Sequence, residues 1–338
     1  MTTEPANLRR WTDDQCGVYE VWYLTFNHAP TGQGFWLRFV IEQPDHGAAR
    51  GELWFARFDP HDPARTFGVH RRFAGFGSSA APFWINIGTS ELAHDRTRGG
   101  FTGDGHTIAW DLRWRPAARA LPFLPDLAYT LGIGETTVTS PNPRVAMTGT
   151  VTINDERLDL EGAVLGQTHL WGTRHASSWA WAHCADFEDA PDAHLELLAP
   201  RLERRGVTLP ALVMMTLDLD GTRHHFNQFR HLVRNRATWT TTPAMARIEF
   251  SARSALWKLT GELSCVPERM LNAPYYDPDG TKLACANTEI GDARVTVSRL
   301  TPLGWREVRL LTSHGRAHFE LGSRAPDPAV TRAHVTIE

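Results

Sequence analysis

The feature that most constrains this chain is an alternation of apolar and polar residues, which recurs in short segments along almost its whole length. The segment Tyr-Glu-Val-Trp-Tyr-Leu-Thr-Phe-Asn at 19–27 is an example. Because side chains on a β-strand point to opposite faces in turn, the alternation predicts strands with one buried face. Turn residues separate the segments, and Asp220-Gly221 predicts a tight hairpin. The predicted strands cover residues 19–27, 35–43, 52–59, 106–115, 146–153, 157–164, 178–186, 211–219, 222–229, 246–251, 256–264, 282–288, 293–299, 307–312 and 317–321.

Two segments depart from this alternation. Leu195, Leu198 and Leu202 have the spacing of one helix face, and Gly206 follows as a stop, so a helix is predicted over 192–205. The segment 116–143 is rich in proline and in apolar side chains. It is predicted to be irregular and to pack down on the protein or cover a pocket.

Strands at this spacing, with most of the 27 glycines and 21 prolines between them, predict an all-β fold of sandwich or barrel type. The strands divide near residue 165 into two sets of similar size. The 13 tryptophans are shared between the two sets, so each half can bury a core of its own. We therefore expect two tandem antiparallel β-barrels or half-barrels, an N-terminal domain over 1–165 and a C-terminal domain over 166–338.

The composition excludes several classes of partner. With 35 basic and 38 acidic side chains the net charge is -3, which argues against a nucleic-acid partner or a polybasic membrane-binding surface. No apolar stretch approaches the roughly 18 residues that span a bilayer, and the N-terminus lacks the apolar core of a secretory signal. A cytoplasmic protein is expected. The four cysteines form no Cys-x-x-Cys pair and are expected to be buried, reduced thiols.

Motifs for nucleotide, dinucleotide, α/β-hydrolase and zinc-protease chemistry do not occur in the sequence. The histidines cluster at His169, His175 and His183 and again at 224–231. Neighbours such as His224 and His225 point to opposite faces of a strand, so one metal ion cannot readily bind both. We expect neither a metal site nor a cofactor.

The segment 166–184 is the most unusual part of the chain. Its strand places Trp179, Trp181 and His183 on one face and small residues on the other. An ordinary barrel core would explain this pattern. Polar side chains are nevertheless dense among the indoles, and buried polar groups need partners, so a binding site is the second explanation. The polar residues concerned are His169, Arg174, His175, His183 and Asp186.

Four short motifs together resemble a known family. They are Tyr19-Glu20-Val21-Trp22-Tyr23, Gly34-Phe35-Trp36, Thr168-His169-Leu170-Trp171-Gly172 and Trp179-Ala180-Trp181. This set is similar to the signature of tocopherol cyclases, of hydroxyneurosporene synthases (carotenoid 1,2-hydratases) and of AttH-like proteins. Fungal β-barrel Diels-Alderases are similar in architecture. The resemblance implies two lipocalin-like (calycin-type) barrels. Leu170 stands where tocopherol cyclases have an asparagine, so the groups that steer chromanol ring closure are not all reproduced.

The resemblance also implies a chemistry. Hydratases and cyclases of this kind protonate an alkene, and the resulting cation is shielded by aromatic faces. Such a reaction needs a general acid, and Glu20 and His169 are the predicted catalytic residues. The alternatives are that Glu20 lies in solvent and that His169 is a hydrogen-bonded structural residue.

A further set of residues is predicted to bind substrate. Arg38 alternates with Trp36 and could anchor a carboxylate or phosphate, although an ion pair between the barrels would also explain it. Asn287 shares a strand face with Cys285 and Glu289, which is either the wall of a site or a solvated edge. The predicted substrate-binding residues are Trp22, Tyr23, Arg38, Trp171, Trp179, Trp181, His183, His225 and Asn287.

These features favour an enzyme that hydrates or cyclises a hydrophobic isoprenoid or polyketide by acid catalysis, without a cofactor. A carrier of a lipid-like ligand is one alternative. A pericyclase that works by shape and hydrogen bonds is another. In each case the expected partner is a hydrophobic small molecule, and the oligomeric state stays open.

Overall fold

The computed structural model describes residues 3–12, 14–125, 129, 135–204 and 207–337. Almost every element in it is a strand, as the alternation predicts, and the strands build two large curled sheets. The prediction of an all-β fold with two antiparallel barrels or half-barrels is confirmed.

The first sheet holds the strands of the N-terminal half. They are β1 (Val18–His28), β2 (Gln33–Gln43), β3 (Arg50–Phe58), β4 (Phe67–Phe73), β5 (Gly77–Ala80), β6 (Phe83–Ile87), β7 (Ser90–Ala93), β8 (Arg96–Gly103), β9 (His106–Trp114), β10 (Leu121–Pro122), β11 (Thr136–Ile153), β12 (Glu156–Asp159) and β13 (Ala163–Gly172).

The second sheet holds most of the remaining strands. They are β14 (Ser178–Cys184), β15 (His194–Arg201), β18 (Met214–Leu219), β19 (Thr222–His225), β20 (Arg236–Thr241), β21 (Ala246–Arg253), β22 (Trp257–Cys265), β23 (Leu271–Tyr276), β24 (Lys282–Thr301) and β25 (Gly304–Ser323). Two short strands, β16 (Glu203–Arg204) and β17 (Val207–Thr208), pair only with each other. The last strand, β26 (Val335–Ile337), returns to the first sheet and pairs in parallel with β4.

Helices are few and short. The described helices are α1 (Phe229–Leu232) and three 3-10 turns, Glu4–Ala6, Pro63–Arg65 and Pro267–Arg269. In the described part of the chain, they are too short to span a bilayer. All four cysteines are free; Cys184, Cys265 and Cys285 are buried as predicted, whereas Cys16 is exposed.

Three apolar cores hold the fold together. One lies inside the curl of the first sheet and includes Trp22, Leu24 and Phe26. The second lies inside the second sheet. A third is formed where the outer face of β1–β3 meets the outer face of β14 and β23–β25. The two sheets are thus joined by a buried, largely aromatic layer.

The helix predicted over 192–205 is wrong. The segment forms β15, and Leu195 and Leu197 point into the second core while Glu196 and Leu198 point toward the first sheet. Both faces of this strand are buried, so its sequence lacks the alternation of a half-exposed strand. Leucines three residues apart then imitated a helix face. Residues 205 and 206 lie outside the described residues.

Several predicted strand limits also change. The segments 282–288 and 293–299 belong to one strand, β24, and 307–312 and 317–321 belong to β25, because bulges bend these long strands without ending them. The strand predicted over 222–229 ends at His225. The Asn227 and Asn235 amides bind nearby carbonyl oxygens and so take the chain out of the sheet. The hairpin at Asp220-Gly221 is confirmed by its positive φ angles of 50° and 73°.

The proline-rich segment 116–143 is less irregular than expected. Its end belongs to β11, where Pro141 and Pro143 lie at bulges that tolerate a missing N–H. Leu121 and Phe123 pack into the layer between the sheets, as the prediction that the segment packs down requires. Residues 126–128 and 130–134 lie outside the described residues.

The predicted boundary at residue 165 would cut β13, which belongs to the first sheet through Gly172. The chain changes sheets between Gly172 and Ser178. Whether the two halves are separate folding domains stays a prediction.

Candidate functional site

The tryptophan face of β14 lies between the two sheets. Ala180 and Ala182 point into the core of the second sheet, whereas Trp179 and Trp181 point toward the first sheet. The Trp179 indole lies flat over Gly322 of β25, where a Cβ atom would come within 2.1 Å of the ring. The glycine therefore makes room for the indole.

Strand β1 contributes to two different environments because its side chains alternate. Glu20 and Trp22 point to the inner side of the first sheet, whereas Tyr19, Val21 and Tyr23 point into the layer between the sheets. The two predicted groups of site residues on this strand thus lie on opposite sides of one sheet.

Glu20 and His169 are brought together on the inner side. The Nε2 atom of His169 lies 2.7 Å from Oε1 of Glu20, and both side chains are fully buried. The backbone N–H of Arg10 donates to both oxygens of Glu20, at 2.9 and 3.0 Å. The Nδ1 atom of His169 lies 2.6 Å from the carbonyl oxygen of Ala6, so Nδ1 carries a proton and donates it there. The contact between Nε2 and Glu20 then needs a second proton, which the pair shares.

The neighbouring aromatic residues complete this inner network. The Trp22 ring stacks on His169 with centroids 4.6 Å apart, and its Nε1 donates to the carbonyl oxygen of Asn7 at 3.0 Å. Trp171 is only half-buried and lies under the guanidinium of Arg10. Every polar atom named here has a partner, and these residues do not line the clefts between the sheets described below.

Arg38 of β2 lies in the layer between the sheets, and its surroundings are unusual. Its guanidinium carbon lies 4.3 Å from the ring centroid of Tyr275, 5.2 Å from that of Trp54 and 5.6 Å from that of Trp36. The residue is 5% exposed. Among the residues that the structure describes, neither Nε nor Nη1 has a hydrogen-bond partner. A buried charge without an ion-pair partner is costly and demands an explanation.

Two narrow clefts open beside Arg38. One, of about 60 Å³, is lined by Tyr23, Trp179, Trp181 and Glu320 among others, and the other, of about 20 Å³, extends toward Trp54. Arg38, His175 and Tyr275 line both. A water molecule takes about 30 Å³ of liquid volume, so the larger cleft has room for about two. A bulkier guest must push side chains apart.

Glu320 of β25 is the carboxyl group in the larger cleft. It is the cross-strand neighbour of Trp181 and accepts a hydrogen bond from the Tyr275 hydroxyl at 3.3 Å. Burial raises the pKa of Glu320 above its usual value, although the charge of Arg38 opposes this. Burial also raises the pKa of Tyr23 and Tyr275 well above that of free tyrosine. Each of these shifts favours the protonated form of its group.

His175 closes the cleft on another side. Its Nδ1 lies 2.6 Å from Oδ1 of Asp277, and its ring stacks on Tyr19 with centroids 4.5 Å apart. Burial lowers the pKa of His175, and Asp277 opposes the shift. The imidazole is held in place by a carboxylate beside the cleft, in the arrangement that orients catalytic histidines.

A second polar cluster lies further along the same layer. His183 Nδ1 and His194 Nε2 lie 2.9 and 3.2 Å from Oε1 of Glu196. Although burial acts in the opposite direction, the two imidazoles hold the pKa of Glu196 below its usual value. These three residues could hold a divalent metal ion, since one ligand atom from each lies within 4.8 Å of the others. His318 stacks beside His183 and its Nε2 lies 2.7 Å from the amide oxygen of Asn27.

Two predicted residues remain. Asn287 is fully buried in the layer between the sheets, and its amide donates to Glu289 at 3.2 Å. The alternative of a solvated edge for Cys285, Asn287 and Glu289 is therefore wrong, because all three are fully buried. His225 lies exposed at the end of β19 and does not line either cleft.

Sequence reasoning missed Glu320, Tyr275 and His175–Asp277 as one site. A signal was present in β25, where polar His318 and Glu320 alternate with Phe319 and Leu321. Such alternation normally indicates a solvent face, and only the packing of the second sheet against the first shows that this face is buried.

Comparison with known proteins finds a matching family and a relative along almost the whole chain. A family described as tocopherol cyclase-like matches residues 142–323, which are 182 of the 338 residues. The matched range includes the motifs around Trp171 and Trp179 but not the early motif around Glu20. The uncharacterized protein Rv0493c of Mycobacterium tuberculosis is 28% identical over 328 residues, covering 95% of this chain and 91% of that protein.

Solved structures share the fold at low sequence identity. CghA, solved with Sch210972, has a TM-score of 0.61 at 12% identity and covers 96% of this chain and 94% of its own. A putative AttH from Nitrosomonas europaea has a TM-score of 0.53 at 14% identity, covering 93% and 98%. Kievitone hydratase from Nectria haematococca has a TM-score of 0.52 at 9% identity, covering 89% and 88%. The likeness extends over both sheets, so the fold is shared as a whole.

Proposed function

Because the chain belongs to the tocopherol cyclase-like family, we propose that it hydrates or cyclises an apolar isoprenoid or polyketide alkene by acid catalysis between its two sheets. The observation that carries this proposal is Glu320. Its carboxyl group is buried, its pKa is raised, and it opens onto a cleft walled by Trp179 and Trp181. A neutral carboxylic acid beside aromatic faces is what alkene protonation requires.

The reaction would begin when the Glu320 carboxyl transfers its proton to one alkene carbon. The π bond breaks, a C–H bond forms, and the more substituted carbon becomes a cation. Trp181 is the cross-strand neighbour of Glu320, so its indole face is suited to stabilising a cation formed there. A water molecule or a hydroxyl of the substrate then adds to the cation, and its proton returns to Glu320. Hydration adds one water, ring closure gives an isomer, and neither needs an oxidant or a reductant.

The relatives support the class of reaction and leave the substrate open. Kievitone hydratase is named for a hydration, the family for a cyclisation, and CghA was solved with the small organic molecule Sch210972. A carrier without turnover and a pericyclase remain the alternatives. The catalytic assignment of Glu20 and His169 also stays a rival prediction, although both residues already have close partners on the other side of the sheet.

The test compares three carboxyl variants on a panel of prenylated hydroquinones and linear polyprenes. Mass spectrometry detects a product one water heavier or an isomer of unchanged mass, and tryptophan fluorescence measures binding. The E320Q variant should lose turnover by about 10²- to 10⁴-fold while it still binds the substrate. E289Q is the matched control, because Glu289 is also a buried carboxyl with a raised pKa but does not line the cleft.

The outcomes separate the hypotheses. Turnover by E320Q at the wild-type rate would remove Glu320 as the acid. Loss of turnover in a folded E20Q variant, with E320Q active, would return the role to Glu20. Binding by the wild-type protein without any product would favour the carrier.

A further inference from the structure

We propose that the cleft holds its ligand by a carboxylate, or a comparably acidic oxygen group, which Arg38 binds among the aromatic rings that surround it. This inference rests on the proposed function in one respect only, because it assigns an acidic head to the apolar substrate of the same cleft. The ligand class is therefore an isoprenoid or polyketide acid.

Arg38 differs from Arg57, the other deeply buried arginine among the residues that the structure describes. Arg57 is 4% exposed and pairs with Glu156 at 2.9 Å and with Asp59 at 3.5 Å. Arg38 is equally buried, yet within the described ranges it forms no ion pair, and its Nε and Nη1 atoms have no partner. Its guanidinium lies over the faces of Trp36, Trp54 and Tyr275. Glu42, Glu52 and Glu320 line the same two clefts but form no ion pair with it among the described residues. One buried arginine is thus neutralised by an ion pair and the other is not.

The carboxylates nearest the two clefts are already engaged by other groups. Glu42 binds Arg50 at 2.8 Å, and Glu52 accepts from Trp54 Nε1 at 2.9 Å and from Arg72 at 3.1 Å. Asp277 binds His175, and Glu320 accepts from Tyr275. None of them forms an ion pair with Arg38 among the described residues, although Glu320 lines the same cleft and Oδ2 of Asp277 has no partner. An external anion would balance the guanidinium charge at close range.

Further unused hydrogen-bond donors lie next to the aromatic rings around Arg38, on residues that do not themselves line either cleft. The rings of His70 and Trp54 stack with their centroids 3.7 Å apart. The centroid of the His334 ring lies 5.6 Å from that of Trp36 and 5.5 Å from that of Trp54. Both histidines are buried, and none of their ring nitrogens has a hydrogen-bond partner among the described residues; the same holds for Nε1 of Trp36. Burial lowers the pKa of His70 to about 2 and that of His334 to about 3, so each ring is neutral and offers one N–H.

A carboxylate matches this arrangement better than a neutral group does. Its two oxygens fit the forked N–H groups of a guanidinium, and charge-assisted hydrogen bonds are stronger than neutral ones. The head would lie where the two clefts meet at Arg38 and Tyr275. The apolar body would then follow the larger cleft past Trp179 toward Trp181 and Glu320, so that the alkene lies near the acid. Arg38 would thus fix the position of the substrate along the cleft.

The test uses two probes with the same isoprenoid skeleton, farnesoic acid and farnesol. Binding is measured by tryptophan fluorescence and calorimetry below the concentration at which either compound aggregates. The wild-type protein should bind farnesoate about tenfold or more tightly than farnesol. R38M should lose that preference and R38K should keep part of it. The control R113M removes the same charge from an exposed site and should leave the preference unchanged.

Three results would overturn the inference: equal affinity of the wild-type protein for the two probes, no binding of farnesoate at millimolar concentration, or an unchanged preference in a folded R38M. The wild-type comparison stands even if R38M does not fold. The proposed function is tested separately with E320Q, which should still prefer farnesoate. An Arg38-dependent preference without turnover of any alkene would retain this inference and remove the proposed reaction. Turnover of alkenes by the wild-type protein without any preference for farnesoate would do the opposite.

Discussion

Buried polar residues are bonded differently on the two faces of the first sheet around β1 and β2. On the inner face, Glu20 accepts two backbone hydrogen bonds and contacts His169, whose other nitrogen is bound as well. On the outer face, Arg38 of the neighbouring strand β2 is also buried, but its Nε and Nη1 have no hydrogen-bond partner among the described residues and its guanidinium lies against aromatic rings. One face is complete within the described chain, and the other leaves hydrogen-bonding capacity unused.

This difference separates structural polarity from functional polarity. A buried network whose members are all satisfied fixes the fold, and here it attaches the N-terminal residues to the first sheet. A buried charge without a partner destabilises the folded chain and persists where function requires it. This criterion supports the proposed site between the sheets.

The largest expected change in the free energy of unfolding comes from a substitution on the inner face of the first sheet. Replacing Glu20 with alanine leaves the Arg10 N–H and His169 without their acceptor in a fully buried place. We expect the free energy of unfolding to fall by about 3 to 5 kcal/mol, measured by urea denaturation. The exposed Glu161 provides the control E161A, which should be nearly neutral. A loss under 1 kcal/mol for E20A, roughly that of a surface substitution, would mean that the network is not structural.

The next largest change in stability is expected where the two sheets are in close contact. A Cβ atom at Gly166 of β13 would come within 2.6 Å of the His183 ring. G166A should therefore lower the free energy of unfolding by about 1 to 3 kcal/mol through overpacking. The control is G75A, because nothing lies within 4 Å of a Cβ there. Equal stability of the two variants would show that the sheets separate easily at this point.

A smaller effect concerns pH. The folded pKa of His70 is about 2, through burial and the nearby His334, Arg72 and Arg38, against about 6.5 when unfolded. The unfolded chain therefore takes up the proton first, and stability is lost as pH falls below about 6.5. Between pH 6.5 and 5.5 the wild-type protein should lose about 1 kcal/mol relative to H70F. Parallel stability curves for the two proteins would contradict a neutral, buried His70; measurement at pH 8 gives the reference difference.

Most of the strands could be predicted from the sequence, because alternation of apolar and polar residues follows directly from a strand with one buried face. Tyr23, Arg38, Trp179 and Trp181 were all predicted to bind substrate, and the structure brings them into one layer. Alternation shows which side chains share a face and does not show what that face packs against.

The rest of the site depends on long-range packing. Glu320 and Tyr275 come from distant strands of the second sheet, and only the meeting of the two sheets brings them to Arg38. The error at β15 has the same origin, since a strand buried on both faces has no local signal that distinguishes it from a helix.

The most direct test of the comparison is the free energy of unfolding of R38M, measured without ligand beside R57M. If Arg38 is an uncompensated charge kept for a ligand, R38M should gain about 1 kcal/mol, because methionine fills the space without a charge. R57M, which breaks a pair with Asp59 and Glu156, should lose stability. A loss in R38M as large as that in R57M would show that Arg38 is a structural residue and would contradict the assignment of the site.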